Sequence, residues 1–120
     1  MASDAFDPSD HLDDALLERI RSRAATHDRE NSFPHDDLDD LRAAGYLAAL
    51  VPEDLGGAGL SLAQTARLQQ RLAGAAPATA LAVNMHLVWT GVAKVAADRG
   101  VDALRFVQEG AAAGEVFAFG

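Results

Sequence analysis

The 120-residue sequence contains no cysteine, few aromatic residues (6%) and only four histidines. Without cysteine there is no disulfide scaffold, no thiol catalysis and no cysteine-ligated zinc or iron–sulfur site. The histidines lie at positions 11, 27, 35 and 86, and none belongs to a ligand pair such as HExxH. We therefore predict that the protein has no metal site.

Basic residues are also scarce, with 10 lysines and arginines against 18 acidic residues. Residues 1–60 carry 14 acidic and 5 basic side chains, so most of the negative charge lies in this half. A negative field repels phosphate backbones, so we predict no nucleic-acid partner. The start of the sequence, MASDAFDPSDHLDD, has no apolar segment typical of a secretory signal. A cytoplasmic location is the expectation.

What the chain has in quantity is alanine, within a composition of 49% hydrophobic and 23% charged residues. Such a composition is typical of one folded domain. Alanine favours helices and packs poorly in strands, so we predict an all-α fold. Residues 1–8 are predicted to be a disordered leader, and the helical domain is predicted to span residues 9–113.

Apolar periodicity and cap residues predict five helices. The first begins after a cap at Ser9 or Asp10 and runs to about Asp28, and a capping box of Ser61 and Gln64 starts the third. The other predicted ranges are 35–44 for the second helix, 62–75 for the third, 77–98 for the fourth and 101–110 for the fifth.

Two side-chain patterns give expectations about burial. The third helix is predicted to turn inward a face made of Leu62, Ala66, Gln69, Leu72 and Ala73. The acidic pairs at 36–37 and 39–40 have no apolar surroundings in the sequence, so we interpret them as solvated rather than as acid–base groups.

The fourth helix, PATALAVNMHLVWTGVAKVAAD, is apolar on nearly every side. Such a helix is buried all round, so we predict that part of its partner surface lies outside this chain. We predict no membrane span, because Asn84, His86 and Lys94 would each be costly near a bilayer centre. One face of this helix carries a stripe of mostly small and apolar residues: Ala80, Val83, Asn84, Leu87 and Gly91. Such a stripe either packs against another helix or leaves room for a ligand, and the pattern alone does not decide between the two.

Two further segments, at residues 55–61 and 115–120, have distinctive compositions. LGGAGLS (55–61) is glycine-rich but matches neither GxGxxG nor GxxxxGK[ST], and we interpret it as a tight loop with positive φ angles. EVFAFG (115–120) has the composition of a strand, so residues 114–120 are predicted to begin a β-domain.

These segments together resemble the acyl-CoA dehydrogenase family. The resemblance rests on LRAAGYLAALVPEDLGGAGLS (41–61), similar to a VPE-x-x-GG-x-G loop, followed by LAQTARLQQRLAGAAPATALAVNMHLVWTGVA (62–93) and GEVFAFG (114–120). It implies the N-terminal helical domain of a three-part α–β–α subunit. Middle and C-terminal domains would then complete the protein, which is expected to be a homotetramer.

The resemblance also implies a reaction, the α,β-dehydrogenation of an acyl-CoA thioester with FAD as the cofactor. The family's catalytic glutamate belongs to the C-terminal domain, so no catalytic residue is assigned and the chain alone is expected to be inactive. Residues implied in substrate binding are Ala80, Val83, Asn84 and Leu87, and those implied in cofactor binding are Phe119 and Gly120.

Two alternatives remain open from the sequence. NMHLVWTGVA (84–93) differs from the stretch that many fatty-acyl enzymes carry, so the same fold could serve a flavin-dependent monooxygenase. The chain could also be a non-catalytic helical interaction module.

Overall fold

The computed structural model describes residues 6–118, which form five α-helices and no strand. The all-α prediction is therefore confirmed for this part of the chain. Three short 3₁₀ turns connect the helices, at Pro8–Asp10, Tyr46–Ala48 and Glu53–Leu55. The helices are α1 (Asp14–Glu30), α2 (His35–Ala43), α3 (Leu62–Ala75), α4 (Pro77–Asp98) and α5 (Arg105–Ala112).

The first helix begins three to four residues later than predicted, at Asp14. Ser9 and Asp10 belong to the 3₁₀ turn, and the carboxylate of Asp13 instead caps α1 by accepting from the Leu16 amide at 2.7 Å. Phe6 packs against the core and stacks on the His11 ring. The end of the predicted leader is thus part of the fold, whereas residues 1–5 lie outside the described residues.

The starts of α3 and α4 agree with the sequence patterns. The Ser61 side chain accepts from the Gln64 amide, and the Gln64 side chain accepts from the Ser61 amide, so the predicted capping box is present. Pro77 opens α4 after one connecting residue, Ala76. This short connection places α4 beside α3, and α4 also contacts α1, α2 and α5.

Removing this cap gives a first prediction. Ser61→Ala is expected to lower the free energy of unfolding by about 1 kcal/mol, because the Gln64 amide loses its acceptor at the helix end. Ser22→Ala is the matched control, since Ser22 lies exposed within α1 and alanine is a better helix former. Chemical denaturation measures both, and an equal loss in the two variants would contradict the capping role.

The buried face of α3 differs from the predicted one. Of the five residues expected inside, Leu72 is buried, while Leu62 and Ala66 are exposed. The helix is rotated so that a different set faces the core: Thr65, Leu68, Leu72 and Ala75. Leu68, Leu72 and Ala75 of this set belong to the main hydrophobic core, together with residues of α1, α2 and α4.

The acidic residues of α2 are not all solvated, contrary to the prediction. Asp37 is fully buried, and its carboxylate accepts from Arg23 Nε at 2.8 Å and from Thr79 Oγ1 at 2.6 Å. Arg23 also donates to Asp40 at 2.6 Å, and this bond is the main cause of the lowered pKa of Asp40. The network links α1, α2 and α4, and partners from distant parts of the chain make the burial possible.

The C-terminal part departs from the prediction in two ways. The fifth helix spans Arg105–Ala112 rather than 101–110. The predicted strand does not form over residues 114–118, where no neighbouring strand is present among the described residues to accept a ladder of hydrogen bonds. We call residues 114–118 the exit segment.

Candidate functional site

One side of α4 is buried and the other is exposed. Ala80, Val83 and Leu87 belong to the main hydrophobic core, together with residues of α1, α2 and α3. The opposite side carries large apolar side chains at alternating spacings of four and three, and these are partly to largely exposed: Leu81, Met85, Val88, Val92 and Val95. We call this set the α4 stripe. Within the described residues, α4 is therefore buried on one side, whereas the sequence pattern predicts burial all round.

An open apolar groove of about 600 Å³ runs between α3 and α4. One wall comes from the exposed Leu62 and Ala66 of α3 and the other from three valines of the α4 stripe. Gly91 lies between the walls, where a Cβ would be 3.3 Å from the Leu62 Cδ2. The groove thus has the lining expected for an apolar ligand, with amide side chains of Gln69 and Asn84 at one end.

The four predicted substrate-binding residues lie in different surroundings: two line the groove, one borders a smaller hollow and one is in the core. Asn84 is exposed, lies in the groove wall and accepts from Gln69 Nε2 at 3.4 Å. Leu87 is buried and also reaches the groove, whereas Ala80 borders a smaller neighbouring hollow with Asn84. Val83 is buried in the core and borders neither. Their role in binding stays a prediction.

The sequence reasoning missed the residues that form most of the groove. The sequence pattern predicts Leu62 and Ala66 in the core and does not separate the α4 stripe from the rest of an apolar helix, whereas the structure exposes both parts. The regular spacing of Leu81, Met85, Val88, Val92 and Val95 is a signal that could have separated this face from the buried one.

His86 is fully buried on α4 and uses both ring nitrogens. Its Nε2 lies 2.7 Å from the Leu47 carbonyl oxygen, and its Nδ1 lies 3.0 Å from the Phe117 backbone nitrogen. A carbonyl can only accept and a backbone N–H can only donate, so Nε2 carries the proton and Nδ1 accepts. Burial lowers the pKa of His86, although the bond to Leu47 opposes this shift.

The exit segment is held against the helices at several points. Arg42 of α2 donates through Nε to the Gly114 carbonyl at 2.8 Å, and the Glu115 amide donates to the Gly110 carbonyl at 2.9 Å. The Phe117 ring stacks on His86 and passes so close to Gly110 that a Cβ there would lie 2.7 Å from its Cζ. Phe119 and Gly120, the predicted cofactor contacts, follow this segment and lie outside the described residues.

No group of three or more potential metal ligands is found among residues 6–118. The α4 helix is long and apolar enough to cross a membrane by length and composition alone, which is weak evidence because the core helix of a soluble protein passes the same test.

The groove and the helical arrangement define a class, a helical domain with an open apolar site along its central helix. Residues 9–104 match the family model described as "Acyl-CoA dehydrogenase, N-terminal domain". The chain therefore belongs to the acyl-CoA dehydrogenase family. Members of this family are in general flavin-dependent oxidoreductases.

Several curated proteins are similar to the chain over about 60% of its length. One is the "Putative acyl-CoA dehydrogenase YdbM" of Bacillus subtilis (strain 168), 35% identical over 72 residues that are 19% of that protein. Another is the amino sugar nitrososynthase DnmZ of Streptomyces peucetius, 41% identical over 76 residues, 19% of its length. A third, the amino sugar nitrososynthase RubN8 of Streptomyces rubradiris, is 42% identical over 72 residues, 17% of its length.

The matched region thus spans less than a fifth of these relatives. No solved structure matches the chain significantly.

Proposed function

We propose that this chain is the N-terminal, substrate-side domain of a flavin-dependent oxidoreductase that dehydrogenates an acyl-CoA thioester. The observation that carries the proposal is the apolar groove between α3 and α4, because a hydrocarbon chain gains free energy by leaving water for such a surface. In this reaction the substrate loses a proton from its α carbon and a hydride from its β carbon. FAD, when bound, supplies the acceptor for that hydride.

The described residues bind and orient substrate in this proposal and do not hold the flavin. The groove is lined almost wholly by apolar side chains, and among the described residues of its lining Arg99 alone carries a positive charge. A flavin dinucleotide with two phosphates does not fit such a lining. We therefore place the flavin outside the groove and assign no chemical step to these residues.

The α4 stripe supports the proposal that further domains complete the protein. Leu81 is 75% exposed and Val92 is 47% exposed, and a row of five such side chains is typical of a surface that another part covers. Middle and C-terminal domains, a homotetrameric assembly and a cytoplasmic location belong to this proposal. The same covering would account for the apolar character of α4 without a membrane.

A second candidate function has support from the relatives. DnmZ and RubN8 are named amino sugar nitrososynthases, and their identity to this chain, at 41% and 42%, exceeds that of YdbM. The alternative is therefore flavin-dependent oxygenation of the amino group of a sugar. The apolar lining of the groove favours an acyl chain over a sugar, which needs many hydrogen-bonding partners.

The experiment that tests both is a spectroscopic assay of the product of the complete reading frame. If the proposal is correct, the purified protein shows flavin absorption, and an acyl-CoA bleaches it in the absence of oxygen. Bleaching by a nicotinamide donor alone, followed by oxygen-dependent conversion of an amino sugar, would establish the second candidate. A protein without bound flavin that also binds none when it is added would refute both.

Filling the groove gives a prediction about substrate size. Val92→Phe is expected to raise KM for the longest accepted acyl-CoA about tenfold, because the larger ring occupies space between α3 and α4. Leu81→Phe is the matched control, since Leu81 lies on the same stripe of α4 but outside the groove lining. Equal effects of the two variants across a series of chain lengths would contradict a chain-binding groove.

A further inference from the structure

His86 joins two backbone segments through one imidazole ring. Its Nε2 donates to the Leu47 carbonyl on the turn after α2, and its Nδ1 accepts from the Phe117 amide in the exit segment. We infer that His86 is a positioning residue, which fixes the course of the chain as it leaves the helical domain after α5. Its importance for activity rests on the proposed function and on the implied cofactor contacts at Phe119 and Gly120, which follow this segment.

The contacts around the exit segment divide it into two parts. The bonds from Arg42 to Gly114 and from Glu115 to Gly110 hold its beginning close to α2 and α5. Beyond Glu115, the backbone bond to the helices is the one that Phe117 makes to His86, in the part of the chain that is described. The backbone hydrogen bonding at residue 117 therefore depends on the imidazole, whereas that at the beginning of the segment does not.

The role requires the neutral imidazole with the proton on Nε2. A second proton would sit on Nδ1 and would point at the Phe117 N–H, so an attractive contact would become a repulsive one. The side-chain amide of glutamine or asparagine can replace one of the two hydrogen bonds that the ring makes. His86→Gln can still donate to Leu47 but has no acceptor at the position of Nδ1, whereas His86→Asn places an amide oxygen near that position.

The titratable and charged groups on the surrounding elements do not compete for the ring. On the turn that carries Leu47, the Tyr46 hydroxyl donates to Gln69 at 2.6 Å, and burial raises the pKa of Tyr46. On α5, Arg105 and Glu109 pair with each other at the surface. Glu115 on the exit segment is exposed. On α4 itself, the partly buried Lys94 is paired with the exposed Asp98. Titration of the ring is thus governed by its burial and by its two backbone partners.

The test is hydrogen–deuterium exchange of the Phe117 amide in the purified protein, corrected for the intrinsic exchange rate at each pH. In the wild type we expect protection above pH 6.5, the ordinary pKa of histidine, and loss of protection as the pH falls through the lowered pKa of His86. At pH values where the wild-type ring is neutral, His86→Gln is expected to exchange about tenfold faster than the wild type, since it lacks the acceptor, and His86→Asn is expected to restore protection.

Unchanged Phe117 exchange in His86→Gln, or an exchange profile in the wild type that does not respond to pH, would overturn the inference. If both variants unfold, the test is the tautomer of His86 in the wild type. Nuclear magnetic resonance of the protein with nitrogen-15-labelled histidine shows which ring nitrogen carries the proton. A proton on Nε2 with an accepting Nδ1 supports the inference, and a proton on Nδ1 in the neutral ring overturns it.

The flavin assay, combined with the exchange measurement, distinguishes a failure of this inference from a failure of the proposed function. Exchange at Phe117 does not require a bound cofactor, so the expected exchange pattern in a protein that binds no flavin would leave His86 as a positioning residue and refute the function. Flavin binding that is equally tight in the wild type and in His86→Gln, with Phe117 protected in both, would refute the inference and leave the function standing.

Discussion

Replacing Asp37 with alanine is expected to lower the free energy of unfolding by about 3–5 kcal/mol, the largest loss of any single change considered for this protein. The carboxylate is fully buried and accepts from both Arg23 and Thr79. Its removal leaves a partly buried guanidinium with one of its two carboxylate partners and an unsatisfied hydroxyl in the core. Chemical denaturation of the wild type and the variant measures the difference.

Asp36→Ala is the matched control for this change. Asp36 lies in the same first turn of α2 but is exposed, so its loss removes a favourable interaction with the helix dipole, worth about 0.3–1 kcal/mol. If Asp37→Ala costs no more than Asp36→Ala, the buried network does not stabilise the fold.

Gly57→Ala is expected to destabilise the protein by about 3 kcal/mol, because no space exists for a side chain at this position. A Cβ there would lie 2.6 Å from the carbonyl carbon of Val51 and closer still to its oxygen. Both are backbone atoms of the fully buried Val51, whose carbonyl also accepts from the Gly59 amide at 2.8 Å. The loop would therefore have to move away from the core. Thermal and chemical unfolding both report this loss.

Gly74→Ala is expected to raise the free energy of unfolding, in contrast to Gly57→Ala. Gly74 is exposed near the end of α3, and a Cβ there meets no atom within 4 Å. Alanine is the better helix former, so this variant is expected to gain about 0.5–1 kcal/mol. Two glycine-to-alanine changes of opposite sign would show that space around the backbone decides the outcome. Similar losses in both variants would contradict the close packing of Gly57.

Much of the fold could be predicted because local signals are strong. Ser61 and Gln64 form the expected capping box, Pro77 opens the expected fourth helix, and that helix ends at Asp98 as predicted. Caps and proline act within one helical turn, so neighbours in sequence are enough to determine them. The tight loop with positive φ angles is also confirmed at Gly56 and Gly59.

The candidate site could be predicted only in part. The resemblance pointed to α4, and Asn84 and Leu87 do lie along a groove there, but Val83 is in the core. The opposite wall comes from Leu62 and Ala66, whose orientation depends on how α3 rotates against α4. Periodicity shows that a helix has two faces but does not show which face meets which neighbour.

The amino-acid sequence by itself determined the presence and order of the five helices, the capping box of α3 and the family to which the chain belongs. The tertiary structure decided which charges are buried, which face of α3 is exposed and what the exit segment contacts. Asp37, paired with Arg23 and Thr79, and His86, bonded to Leu47 and Phe117, show why. Their partners lie 14 to 42 residues away in the chain. No local pattern carries that information, because burial of a polar group becomes favourable only when the fold brings its partners within hydrogen-bonding distance.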